Sequence, residues 1–354
     1  MMRRAANPGH VPQGNAVEYY SQRARGCEGG LIITEATVVS ETGHGYPCVP
    51  GIYTKEQIEG WKPITKEVKK HGATFFMQIW HVGRTSHNEF MPNKAPPLSS
   101  MATTATGDVY LPDGTPSKFT KPQALDKAGI NNAINEYRQA ARNAIDAGFD
   151  GVEIHGANGY LIDQFIKPKP NQRTDEYGGS IENRCRFALE IAAAVCKEVG
   201  AERVGIRLSP YGQFGDVDDD KPNETNIYLT EQLNKFGLAY IHFVEPRIAG
   251  NTDCDVRHES YNTEHFRKIW NSTFISAGGY NRERAIEAVQ SNHTDLVCLG
   301  RHYLANPDLP RRWRENKPLN KYNRDLFYTQ GNEGYLDYPW LNGHVPESAA
   351  RFFA

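Results

Sequence analysis

The feature that most constrains this chain is a regular alternation of short apolar runs with helix-length amphipathic segments. The runs fall near 31–36, 73–79, 151–155, 203–208, 239–244, 273–276 and 296–299. Helical patterning covers Ala16–Arg25, Thr54–His71, Lys127–Ala147, Ile181–Val199, Asn226–Phe236, a segment ending near Trp270, and Asn281–Ser291. Thr54, followed three residues later by Gln57, reads as a capping-box start, and Gly72 and Gly148 read as stops. Strand followed by helix, repeated along a chain, implies a parallel sheet covered by helices. A chain of 354 residues suits one large barrel domain over 1–354.

The choice is then between a TIM-type (β/α)8 barrel and a doubly wound open sheet. The barrel is preferred, because polar candidates stand at the ends of many successive strands and not at one crevice. A closed barrel of this type needs eight strands, and the sequence supplies seven runs. Residues 1–30 hold a Pro/Gly loop and one helix, the connection that normally follows a first strand. The expectation is a barrel lacking its first strand, with a gap between the runs near 31–36 and 296–299.

Side chains alternate across a strand, which sorts each run into two faces. Phe75, Met77 and Ile79 share one face; Thr74, Phe76, Gln78 and Trp80 share the other. Val152 and Ile154 are set against Glu153 and His155, and Val204, Ile206 and Leu208 against Gly205 and Arg207. With the apolar faces outward against helices, Gln78, Glu153, His155 and Arg207 point into the barrel. His155, Asn158 and Tyr160 then lie at a strand end, where barrel enzymes keep their chemistry. An imidazole and a carboxamide offer two hydrogen bonds to one carbonyl oxygen, and a phenol can supply a proton. A buried guanidinium at Arg207 needs an anion or several acceptors, either Glu153 or an electron-rich ligand. Gln78 could meet the amide edge of a flat ring, donating and accepting at once.

Gly278-Gly279 and Gly300-Arg301 follow the last two runs. Loops at those positions commonly bind phosphate through backbone N–H groups, and Arg301 adds a charge. Two long polar stretches, 84–126 and 248–260, read as substrate loops, the first with a small hairpin near 109–118. Residues 215–226 read as a surface loop.

Several classes are disfavoured. A net charge of −2 without a basic or acidic block argues against nucleic acid and against an anionic membrane surface. Six cysteines without a CxxC pair suit reduced thiols in the cytoplasm. Residue 155 has no second His or Cys at ligand spacing, so no metal is expected. A metal-dependent lyase using Glu153 and His155 stays open as an alternative.

The run Asn171–Arg184 strengthens the reading of His155–Phe165. Together with Ala16–Ala24, Gln78–Arg84, Arg207–Tyr211, Ala305–Asp308 and Gly334–Pro339, these stretches resemble the old yellow enzyme family, including its plant oxophytodienoate reductases. The resemblance runs from about Arg4 to Pro339. It implies an FMN-containing barrel that takes hydride from NADPH and passes it to the β-carbon of an enone, enal or quinone. His155 and Asn158 match residues that bind the carbonyl oxygen, and Tyr160 matches the proton donor. Gln78 and Arg207 match flavin-ring contacts; Gly278, Gly279, Gly300 and Arg301 match the phosphate side. Trp80, Phe214 and Tyr328 match positions lining the active site. Ala36 stands beside the flavin where many members have Gly. Met1 falls about where members carry a segment packed near the flavin, so weak FMN retention is expected. A flavin-poor barrel acting as a non-catalytic binding protein is the alternative, and either a monomer or a homodimer is compatible.

Overall fold

A computed structural model describes residues 9–27, 29–249, 252–253, 258 and 260–343. Seven parallel strands form the framework: β1 (Leu31–Ile33), β2 (Thr74–Trp80), β3 (Gly151–Gly156), β4 (Val204–Leu208), β5 (Tyr240–Val244), β6 (Thr273–Ala277) and β7 (Leu296–Cys298). They pair in chain order, each with the next. Thr37–Val38 extends the β1 side and pairs with Ile79–Trp80. The main helices are α1 (Gly14–Cys27), α2 (Lys55–Lys70), α3 (Lys127–Asp146), α4 (Leu161–Ile166), α5 (Ile181–Val199), α6 (Pro222–Asn234), α7 (Glu264–Arg267), α8 (Arg282–Gln290), α9 (Arg301–Ala305) and α10 (Leu309–Arg314).

The sheet is curved into an open barrel. Leu31 and Ile33 of β1 and Cys298 of β7 pack on one interior cluster with Phe76, Tyr240 and Ile275, so the two end strands curl towards each other. Among the described residues no strand joins them: β1 pairs with β2 and β7 with β6. The seven runs and the gap fall where the alternation put them.

Burial of one face of each strand under helices drives the assembly. Phe75, Met77, Ile79, Val152, Ile154, Val204, Ile206, Leu208, Ile241 and Phe243 share one core with Trp61 and Val68 of α2, Tyr137 and Ala144 of α3, and Phe187 and Ile191 of α5. Each such large side chain contributes roughly 1.5–3 kcal/mol on leaving water. The capping box of α2 forms: Thr54 Oγ1 accepts from the Gln57 N–H at 3.3 Å, and Gln57 Oε1 accepts from the Thr54 N–H at 3.1 Å. The opposite face of β2 goes inward, with Phe76 in the interior cluster.

Some local expectations need correction. Helix α6 begins at Pro222, not near Asn226, because proline is well suited to a first helical position. The acidic loop is correspondingly shorter. Helix α4 was not anticipated; it is fully buried, and a short apolar run without alternation hides its periodicity. The segment before Trp270 is a single turn, α7. In the 84–126 stretch the hairpin forms between Asp108–Tyr110 and Pro116–Lys118, and Leu98–Ser99 pairs with Gln123–Ala124. Most of the 248–260 loop lies outside the described residues.

Glycine at 205 is required by the interior. A Cβ there would stand 2.3 Å from the Tyr240 ring, which crosses the strand face at that point. Gly205→Ala is expected to displace Tyr240 and lower stability by about 1–3 kcal/mol, the usual penalty for overpacking. Denaturant unfolding with an unchanged midpoint would contradict this.

Candidate active site

Strand register assembles the site. His155 is opposite Arg207, Arg207 opposite His242, and Gln78 opposite Glu153. Trp80, His155 and Arg207 therefore finish neighbouring strands at one end of the barrel.

His155 is buried, and its Nδ1 accepts the Ala157 N–H at 3.3 Å. Burial, followed by the nearby Arg207 charge, lowers its pKa to about 3. The ring is neutral near pH 7. With Nδ1 accepting, the proton sits on Nε2, which makes that nitrogen a hydrogen-bond donor. Asn158 follows with φ 57°, a left-handed conformation that asparagine tolerates better than most residues. Its backbone N–H donates to Ser209 Oγ at 2.7 Å. Gly159, at φ 74°, has the Phe214 carbonyl oxygen 1.8 Å from where a Cβ would sit. The 156–160 turn is thus clamped against the loop after β4.

Tyr160 stands at the centre of an aromatic group. Its ring centroid lies 4.8 Å from Trp80, 5.3 Å from His155 and 5.9 Å from Phe214. Its hydroxyl is 3.2 Å from that of Tyr46, whose ring also stacks on Trp80. Ala36 packs with Tyr160 against Val38, Tyr46 and Trp80. Tyr328 is 40% exposed, with its ring beside Phe327.

Beneath this mouth lies a polar floor. Glu153 is fully buried and accepts from Gln78 Nε2 at 2.6 Å, the Tyr240 hydroxyl at 3.1 Å and His242 Nδ1 at 2.8 Å. Burial alone would raise the Glu153 pKa; His242, Arg207 and the Gln78 hydrogen bond outweigh it and hold it at about 2. His242 shows the reverse balance, with burial opposing protonation and Glu153 favouring it more strongly. The pair is carboxylate and imidazolium. Glu153 is therefore occupied by Gln78, Tyr240 and His242, and Arg207 acts on it through space. Arg207 Nε, though buried, has no hydrogen-bond partner. The Gln78 amide N–H is spent on Glu153, which leaves its carbonyl as the group available to a ring edge.

Strands β6 and β7 pair with Ala277 opposite Cys298, so Gly278-Gly279 and Gly300-Arg301 leave adjacent strands at the same end. Gly278 and Gly279 have φ 127° and 64°, conformations that favour glycine. Arg301 starts α9, with its guanidinium 5.6 Å from the Tyr322 ring centroid. An unpartnered buried guanidinium nitrogen and glycine turns beside an arginine suit a flat, electron-rich group carrying phosphate. FMN fits that description. Among the described residues no group of three or more His, Cys, Asp or Glu is arranged to hold a metal. The metal-lyase alternative also loses its ligands, since Glu153 is engaged by three partners and His155 Nδ1 by the backbone.

Sequence reasoning missed Tyr46, which sits in a Gly/Pro loop with no periodicity to mark it. It also passed over Tyr240 and His242, although alternation along 240–244 places both inward.

Residues 1–320 match the NADH:flavin oxidoreductase / NADH oxidase family. The chain is 52% identical over 351 residues to 12-oxophytodienoate reductase 1 of Oryza sativa subsp. japonica, covering 99% of this chain and 90% of that protein. It is 50% identical over 339 residues to 12-oxophytodienoate reductase 2 of Arabidopsis thaliana, covering 94% and 88%. Among solved structures, morphinone reductase in complex with tetrahydroNAD superposes with a TM-score of 0.89 at 41% identity, covering 97% of this chain and 93% of the other. The family match and these relatives identify a TIM-type barrel and a flavin-dependent oxidoreductase: the chain belongs to the NADH:flavin oxidoreductase / NADH oxidase family, the old yellow enzymes.

Proposed function

We propose that this barrel, spanning the whole chain, binds FMN and uses NADPH to reduce the C=C bond of α,β-unsaturated carbonyl compounds (enones, enals or quinones). The observation that carries the reading is a neutral, buried His155 with its proton on Nε2, beside the Asn158 carboxamide and the Tyr160 phenol. His155 Nε2–H and the Asn158 amide donate to the carbonyl oxygen and stabilise the charge that develops there. Tyr160 delivers a proton to the α-carbon, and Tyr46, at hydrogen-bond distance, can replace it. Trp80 and Phe214 wall the space around Tyr160, and Tyr328 lines its outer side. When bound, FMN supplies the hydride. Gln78 and Arg207 hold its ring, with Ala36 alongside; Gly278, Gly279, Gly300 and Arg301 hold its phosphate.

The relatives carry names for reductases of 12-oxophytodienoate and morphinone, and the morphinone reductase structure holds tetrahydroNAD. Both support a nicotinamide reductant and an unsaturated ketone. Loop 84–126 is the proposed selectivity element. It lines a cavity of about 380 Å³ together with Phe214 and Lys169, through Thr106, Gly107, Asp108 and Phe119. The proposal takes the protein as a cytoplasmic monomer or homodimer acting on small molecules, without nucleic acid as a partner. Among the described residues no helix is long and apolar enough to cross a membrane.

Three outcomes test this reading. His155→Ala should leave FMN absorbance in place while lowering kcat/KM for enones by about 2–4 kcal/mol, as expected for a lost oxyanion donor. Wild-type efficiency in that variant would remove His155 from the mechanism. Tyr160→Phe should slow reoxidation of the flavin by enones but spare its reduction by NADPH, measured by stopped flow against an NADH control. Equal slowing of both halves would contradict the assignment. Because His155 protonates only near about pH 3, phenol and enone affinity should stay flat between about pH 5 and 8. An affinity that falls off through about pH 6.5 would show an imidazole titrating normally.

A further inference from the structure

One layer below the mouth, the reaction proposed above leaves a reactive group unused. His242 spends Nδ1 on Glu153 Oε2 at 2.8 Å, while its Nε2 is buried and closes no hydrogen bond of ordinary geometry. The group His242 faces on that side is the thiol of Cys298. Cys298 is free and partly exposed. It sits on β7, opposite the small Ala277, and β7 has no strand partner on its outer side among the described residues. Thiol, imidazole and carboxylate therefore stand in line across the barrel, with the thiol at the accessible end. A base oriented by a carboxylate and facing a thiol is the arrangement that turns cysteine into a nucleophile.

The other thiols behave differently. Burial pushes Cys27 up, Cys196 to about 11 and Cys185 to about 12. Burial also opposes ionisation of Cys298, but His242 and Arg207 outweigh it and lower its pKa; Glu153 acts weakly the other way. Tyr240, the remaining titratable group facing this layer, has its pKa raised by burial and stays a neutral phenol.

We propose that Cys298 is a nucleophilic thiol that adds covalently to α,β-unsaturated carbonyl compounds entering the barrel, with His242 as its proton partner. The Cys298 Sγ electron pair forms a bond to the β-carbon. The C=C π pair moves to the α-carbon and carbonyl oxygen as an enolate. The α-carbon then takes the proton that the thiol gave to His242. The net change is addition of S–H across C=C, with no electrons drawn from flavin or nicotinamide. The choice of electrophile rests on the function proposed above, but the step itself does not require that function.

The full chain should be incubated with 2-cyclohexenone, and separately with N-ethylmaleimide, without nicotinamide, and its thiols mapped by peptide mass spectrometry. Cys298 should gain one electrophile mass at least about tenfold faster than Cys27, Cys185 or Cys196, with its rate half-rising below the free-thiol value of about 8.5. Labelling no faster than the others, or a half-rise at or above that value, overturns the proposal. His242→Gln should slow labelling of Cys298 about tenfold near pH 6.5 and move the half-rise up. An unchanged rate overturns the role of His242; if that variant does not fold, the wild-type profile decides. Reductase turnover without the adduct sinks only this proposal, whereas an adduct in a protein without turnover supports it and counts against the function proposed above.

Discussion

The Glu153 carboxylate is the constraint on which the interior depends. It takes hydrogen bonds from β2, through Gln78, and from β5, through Tyr240 and His242, so one buried charge ties three strands across the barrel. Taking a carboxylate out of water is expensive, and only close, well-satisfied partners repay it. Here Oε1 and Oε2 are both occupied, and His242 carries the countercharge. Removing one partner from such a pair typically costs about 3–5 kcal/mol, because the other is left buried and uncompensated. The floor therefore fixes strand spacing beneath the mouth, and with it the positions of His155 and Arg207 one layer above.

That floor also separates two electrostatic regimes on a single strand. Glu153 and His155 are two residues apart on the same face, yet one is held as an anion and the other as a neutral ring. The difference lies in their neighbours. Glu153 faces an imidazolium, whereas His155 shares its layer with a guanidinium and has only a backbone N–H at Nδ1. Arg207 acts on both, stabilising the carboxylate and disfavouring protonation of the imidazole. One cation sets two protonation states of opposite kind.

Period-two alternation is a physical property of the extended chain, so the strands, their inward faces and the meeting of His155 with Arg207 were legible from residue order. The capping box at Thr54 and Gln57 was legible for the same reason, since both groups lie within one turn. Tyr46 was not. Its place beside Tyr160 depends on how a loop after β1 folds back over β2, which no local pattern encodes. The partner of Gln78 was also misjudged, because a choice between Glu153 and a ligand edge depends on distances across strands. Helix α4 escaped notice because its six residues are buried on all sides, leaving no polar face to reveal a period.

The clamp at Gly159 has an evolutionary consequence. The group pressed against Gly159 is the carbonyl oxygen of residue 214, not its side chain. The contact that positions the carbonyl-binding turn is thus indifferent to which side chain residue 214 carries. Phe214 can be exchanged for rings or chains of other size and polarity while the turn holding Asn158 and Tyr160 keeps its place. Substrate preference is in this way uncoupled from the chemistry beside it, and one barrel can be retuned at its rim without rebuilding its centre.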